Sequence, residues 1–125
     1  MRVATLIVRI LLGLVFLILG LNGFLLFLPN PAMPSPAMQF FGALFATGYM
    51  IPLLFATQIV GGILLLAGVV PLGLVILAPV VVNIFFFHLF LAPEGLPLAI
   101  IVVIFESFLA WRHSGAFAPL FRTSW

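Results

Sequence analysis

Residues Pro71–Gly95 read PLGLVILAPVVVNIFFFHLFLAPEG. About twenty of them form an apolar run between two proline/glycine turns, long enough to cross a hydrocarbon core of roughly 30 Å. Three residues in the run are not needed by a purely apolar span: Pro79, Asn83 and His88. In lipid an amide and an imidazole require partners or water, so this helix is expected to face protein along part of its surface.

Composition extends that reading to the whole chain. Of 125 residues, 66% are hydrophobic and 5% charged, and the mean hydropathy is +1.52. A soluble domain of this size cannot bury so much apolar surface, so its solvent is lipid. The formal charge of +2 arises from four arginines and two glutamates. With no basic cluster along the chain, the high pI reflects a shortage of acids, and nucleic acid is not an expected partner. Cysteine is absent, which excludes disulfides, thiol relays, Fe–S clusters and cysteine zinc sites.

Upstream, Val3 to Leu28 forms a first apolar run of about 26 residues, or about 39 Å of helix, which spans with some tilt. Arg2 and Arg9 flank its start as they would a secretory signal, but signal cores run only about 7–15 residues, so a retained helix is expected. Gly13, Phe16, Gly20 and Gly23 share one of its faces, with Asn22 assigned to the opposite one. PNPAMPSP (Pro29–Pro36) then interrupts the helix. Ser35 before Pro36 reads as an N-cap followed by a first-turn proline. Residues 37–49 read as a short amphipathic helix in the interface. Gln39, Gly42, Ala43, Ala46 and Thr47 lie on one side, and Met38, Phe41, Phe45 and Tyr49 on the other. Gly48 closes it, with a break expected before Pro52.

The second span covers about 51–69, with Gly61 and Gly62 one turn beyond Gln58, where a neighbour can approach closely. The third covers about 72–91. The APEG turn at Ala92–Gly95 ends it, and Pro97 opens a fourth over about 96–111. In the tail, Phe117, Leu120, Phe121 and Trp125 are expected to rest on the membrane surface. The expected fold is therefore an all-α, four-transmembrane-helix bundle with an interfacial helix between the first two spans, and 1–125 form one integral membrane domain. Arg2 and Arg9 at the start and Arg112 and Arg122 at the end place both termini in the cytoplasm, as an even number of spans requires.

This topology gives each polar side chain a depth from the outer face: about 5 Å for His88, 9 Å for Asn22, 10 Å for Gln58, 12 Å for Asn83 and 15 Å for Glu106. These five residues are the candidate ligand-binding set, a polar belt that could line a shallow outer cavity. Plainer roles compete. Asn22 and Gln58 can be interhelical hydrogen-bond partners worth about 0.6–2 kcal/mol, and His88 can reach headgroups or water. Asn83 and His88 stand about 140° apart on the helix and cannot point along one line. Glu106 shares a face with Ala99, Val103 and Ala110. Ionised at the bilayer centre it would cost roughly 2.5–3.5 kcal/mol, so it reads either as a neutral hydrogen-bond donor or as a group that binds or relays a proton.

No catalytic triad, phosphate loop or metal-ligand set is present in the sequence. His88 and His113 lie about a membrane apart, which precludes a shared haem. Glycine faces on two helices suggest a homo-oligomer or a larger membrane complex.

Several short motifs resemble the DoxX-like family of membrane proteins over nearly the whole chain. They are Leu12–Gly13 after Arg9, Gly20-Leu-Asn22-Gly23-Phe24, Thr47-Gly48-Tyr49, Gln58 with Gly61–Gly62, Ala78–Pro79 with Asn83 and His88, and Glu106 with Ala110–Trp111. The resemblance implies a small four-helix protein of the bacterial inner (plasma) membrane. The family is named for a subunit linked to a terminal quinol oxidase and thiosulfate:quinone oxidoreductase. An acidic residue is common in that pattern where Gln58 stands, and the amide here counts against a proton-linked role at this position. The expectation is a non-enzymatic accessory component, or a binder of a small lipid such as a quinone. The alternative is a subunit of a quinone-linked oxidoreductase, which would need a bound cofactor or a partner to carry electrons.

Overall fold

A computed structural model of the chain describes residues 2–25 and 34–123. It is helical almost throughout, with no strand among the described residues. The helices are α1 (Arg2–Leu25), α2 (Ser35–Ala46), α3 (Met50–Ala67), α4 (Val70–Phe90), α5 (Leu96–Arg112) and the single turn α6 (Ser114–Phe117). Among the described residues, α1, α3, α4 and α5 with its preceding turn are long and apolar enough to cross a membrane. The protein is a multi-pass integral membrane protein built as a four-helix bundle.

The α1–α3 pair forms the most extensive contact, followed by α3–α4 and α4–α5, and α1 closes the ring against α5. Adjacent glycines of α3 serve two different neighbours. A Cβ on Gly62 would stand 2.8 Å from the Gly13 carbonyl oxygen and from the Leu17 nitrogen of α1, whereas one on Gly61 would stand 2.4 Å from Leu77 Cγ of α4. Close backbone approach of this kind drives helix association in lipid, where apolar side chains gain little by leaving their solvent. The glycine faces that suggest an oligomer are thus met inside the chain itself.

The core is Leu12 and Phe16 of α1, Leu65 of α3, Leu74 and Leu77 of α4, and Leu109 of α5, all almost fully buried. Around it the bundle presents apolar side chains outward, Leu53, Val82, Phe86 and Ile104 among them, as expected of a surface solvated by acyl chains.

The turns follow local chemistry. α3 ends on Gly68 at φ +90°, and the Gly68 and Val69 N–H groups donate back to the Leu65 and Leu64 carbonyls at 3.2 and 2.8 Å, a left-handed glycine closure. Between α2 and α3, Thr47 is the joint. Its hydroxyl donates to the Leu44 carbonyl (2.6 Å) and accepts from the Met50 N–H (3.0 Å), so one side chain satisfies the end of one helix and the start of the next.

Three details differ from the sequence reading. Ser35 is the first residue of α2 and makes no cap hydrogen bond; Pro34 occupies the cap position, and Pro36 keeps its place in the first turn, where no amide is needed. The inward stripe of α2 is Ala37, Phe40, Phe41 and Leu44, which straddles the two expected sides, while Met38, Phe45 and Tyr49 are exposed. Phe117 packs against the core instead of resting on the surface, while Leu120 and Phe121 are exposed. The end of the first apolar run at Leu28, most of PNPAMPSP, and Trp125 lie outside the described residues.

Candidate functional site

Above the aliphatic core the bundle is hollow. A cavity of about 500 Å³ lies between α1, α3, α4 and α5, with α2 and the Pro93–Gly95 turn at its end. Phe16 and Val102 belong both to the core and to the cavity wall, and so form its floor. Its walls are largely apolar and aromatic, with Phe55 from α3 and Phe87 from α4. α2 adds Phe40 and Phe41, whose ring centres lie 5.6 and 5.1 Å from that of Phe87. Such ring pairs contribute roughly 0.5–1.5 kcal/mol each beyond simple burial, and they clasp α2 over the cavity.

Four of the five expected site residues, Asn22, Gln58, Asn83 and His88, line this one space, and each arrives differently. Asn22 shares its flank of α1 with Val15 and Leu19. That flank adjoins the glycine face and is not opposite to it, so one helix packs on α3 and still presents an amide to the cavity. Gln58 is 5% exposed, and among the described residues its amide makes no hydrogen bond. A buried, unpaired amide in an apolar wall costs about 1–3 kcal/mol unless something in the cavity satisfies it. Asn83 is exposed to the cavity space. It and His88 bracket Ile84 and Phe87, and the cavity wraps the full arc of about 140° between them. The two residues therefore need not point along one line.

His88 is held in place. Its Nδ1 lies 3.1 Å from the Ala92 carbonyl oxygen. A carbonyl only accepts, so Nδ1 carries a proton and donates it to this bond. The ring lies against Gly95, where an added Cβ would fall 2.2 Å from Cε1, so the backbone of the turn leaves the room that the imidazole fills.

Glu106 stands apart. It falls on the inward stripe of α5 with Ala99, Val102 and Leu109, one turn below the floor residue Val102, and is not part of the cavity wall. Its Oε1 is fully buried and has no hydrogen-bond partner among the described residues. Sequence reasoning also missed a cavity residue: Glu94, exposed in the APEG turn, lines the cavity with His88. The available signal was that Glu94 is one of only two acids in the chain and sits six residues after His88.

Among the described residues no group of three His, Asp or Glu side chains could hold a metal ion. His88 lines this cavity, whereas His113 lines a separate hollow with the arginines. The arrangement provides an apolar, aromatic slot with amide donors and acceptors on three helices and one oriented imidazole. It can bind and orient a flat or chain-like amphiphile. No protein-family model, curated protein or solved structure matches this chain.

Proposed function

We propose that the protein is a non-enzymatic component of the bacterial inner membrane that holds a small lipid-like molecule, a quinone being the leading candidate, in the cavity beneath α2. The observation that carries this reading is a half-open space of about 500 Å³ between aromatic walls, lined by Gln58, whose amide has no hydrogen bond among the described residues. Small-molecule sites typically have volumes of about 300–1,000 Å³ and a few well-placed polar groups. A quinone ring presents two carbonyl acceptors on opposite edges of a flat apolar body. The Gln58 and Asn83 amides on facing helices supply donors, and Phe55 and Phe87 supply surfaces for the ring. The resemblance to DoxX-like proteins supports the same reading and the bacterial location.

The test is purification in mild detergent, extraction of bound lipid for mass spectrometry, and a visible spectrum. Enrichment of quinone over bulk membrane lipid is expected, with no chromophore of the protein's own. A redox role, as a subunit of a quinone-linked oxidoreductase, needs an electron carrier from a cofactor or a partner subunit; a colourless protein without enriched quinone eliminates that version.

Both termini are assigned to the cytoplasm by the arginines at Arg2, Arg9, Arg112 and Arg122. The absence of cysteine makes this directly measurable. A cysteine at Ser114 should resist an impermeant thiol reagent in intact cells, and one at exposed Tyr49 should react. The reverse pattern inverts the topology.

A further inference from the structure

A second hollow, of about 290 Å³, lies between the start of α1, the α3–α4 turn and the end of α5, where Arg2, Thr5, Arg9, Gly68, Arg112 and His113 line it. Three of the chain's four arginines are therefore gathered around one space. The preference for basic residues on one side of a membrane accounts for arginines at this end. It does not account for their convergence.

Arg9 is the informative member. It lies about 10 Å further along α1 than Arg2, and its Nε is buried without a hydrogen-bond partner among the described residues. Its head is lodged against the α3–α4 turn, where a Cβ on Gly68 would stand 3.1 Å from Arg9 Nη1. The left-handed glycine closing α3 thus leaves space for a guanidinium. Arg112 is oriented from two sides. Its Nε donates to Thr5 Oγ1 at 3.2 Å, and its guanidinium carbon lies 5.6 Å from the ring centre of Trp111. His113 donates from Nδ1 to the Leu109 carbonyl at 2.9 Å.

Among the described residues the chain supplies no carboxylate here. Its two acids are Glu94, which lines the other cavity, and Glu106, whose buried oxygen has no partner. Three arginines thus line one shallow hollow, with no carboxylate among its described lining residues. Arginine's planar fork suits an anion with several oxygens. Of the common biological anions, phosphate presents enough oxygens at tetrahedral angles to engage three arginines. Exposed Val3, Leu6 and Trp111 near this end offer apolar surface for an attached acyl chain.

We propose that this hollow binds a phosphate group through Arg2, Arg9 and Arg112, independently of the cavity beneath α2. An anionic phospholipid headgroup and free phosphate share this chemistry, so the test separates them. The purified full-length protein is titrated by native mass spectrometry with phosphatidylglycerol, with phosphatidylcholine and with inorganic phosphate. The expected result is retention of phosphatidylglycerol about tenfold above phosphatidylcholine, falling about tenfold in Arg112→Gln and further in Arg9→Gln. If inorganic phosphate binds the wild type but not these variants, and phosphatidylglycerol shows no preference, the site stands with free phosphate as its occupant. Equal retention of every phosphate source by wild type and variants overturns it. Arg112 is exposed, so Arg112→Gln leaves the core intact and gives a reading even if Arg9→Gln fails to fold. Thr5→Val keeps all three charges while freeing Arg112, and should lower retention by a smaller factor.

Discussion

One half of the bundle is packed and the other is hollow, although the same four helices build both. In the packed half, Leu12, Leu65, Leu77 and Leu109 are completely buried, and Gly61, Gly62 and Gly73 let backbones and side chains close up between α1, α3 and α4. In the hollow half, α4 carries Phe85, Phe86 and Phe87 and no glycine, and α5 carries no glycine at all. The α1–α3 seam nevertheless stays tight there, since a Cβ on Gly20 would lie 3.0 Å from the Phe55 carbonyl oxygen. The void therefore lies between an unbroken seam and two helix stretches that carry no glycine. Residue volume at the helix crossings distinguishes the halves. In lipid, where burial as such contributes little, small residues decide which helix surfaces meet and bulky ones decide where space remains.

The harshest way to break this contrast is to give the packed half the volume of the hollow one. Gly62→Leu places a side chain against α1 backbone atoms that cannot rotate away. Gly62→Ala alone should cost about 1–3 kcal/mol as overpacking, and Gly62→Leu should abolish a monodisperse peak on size exclusion in detergent. Gly42→Ala, at a site in α2 with nothing within 4 Å of the new methyl, should leave the thermal midpoint unchanged or raise it, consistent with a gain of about 0.4–1 kcal/mol from unfolded-state entropy. If both alanine variants behave alike, the seam does not organise the fold.

A gentler change sharpens the functional side. Gln58→Leu removes an amide that has no hydrogen bond among the described residues, so stability should hold or rise by up to about 1–3 kcal/mol. Retention of the extracted lipid should nevertheless fall about tenfold, the loss expected for one hydrogen bond to a polar ligand head worth about 1.4 kcal/mol. Gly95→Ala should act in the same direction by pushing the His88 ring out of place. A thermal midpoint that falls while lipid retention stays constant would make Gln58 a structural residue and the cavity an unused void.

The legible part of this molecule lies along the helix axes. Apolar runs bounded by PNPAMPSP, the turn around Val70–Pro71–Gly73 and APEG give the four spans, because length and hydropathy are axial quantities that each residue reports alone. The depths of Asn22, Gln58, Asn83 and His88 are legible for the same reason, and these four share the cavity. Azimuth and partner choice are less so. Asn22 reads as opposite the glycines because the helical wheel shows one packed face, yet α1 has two neighbouring faces in use. The clasp of Phe40 and Phe41 on Phe87 joins residues more than forty positions apart and leaves no periodic trace. Glu106 reads as part of the belt because its depth differs from that of Asn83 by only about 3 Å. The floor of Phe16 and Val102 passes through that interval, and no single-residue property marks it.

That floor makes Glu106 the smallest and most discriminating test. It is the only acid within α1, α3, α4 and α5 themselves, it sits on the packed side of the division between Val102 and Leu109, and its Oε1 is buried with no hydrogen-bond partner among the described residues. If the packed half tolerates the carboxyl only as a neutral group, Glu106→Gln preserves both shape and polarity. Insertion, size-exclusion profile and lipid retention should then match the wild type, with stability within about 0.5 kcal/mol. Glu106→Leu should be neutral or stabilising, because an apolar side chain of similar volume replaces a partnerless oxygen. Failure of Glu106→Gln to insert, or its aggregation, would show that the charge itself is needed. The packed half would then contain a proton-binding group of its own, and function could no longer be assigned to the hollow half alone.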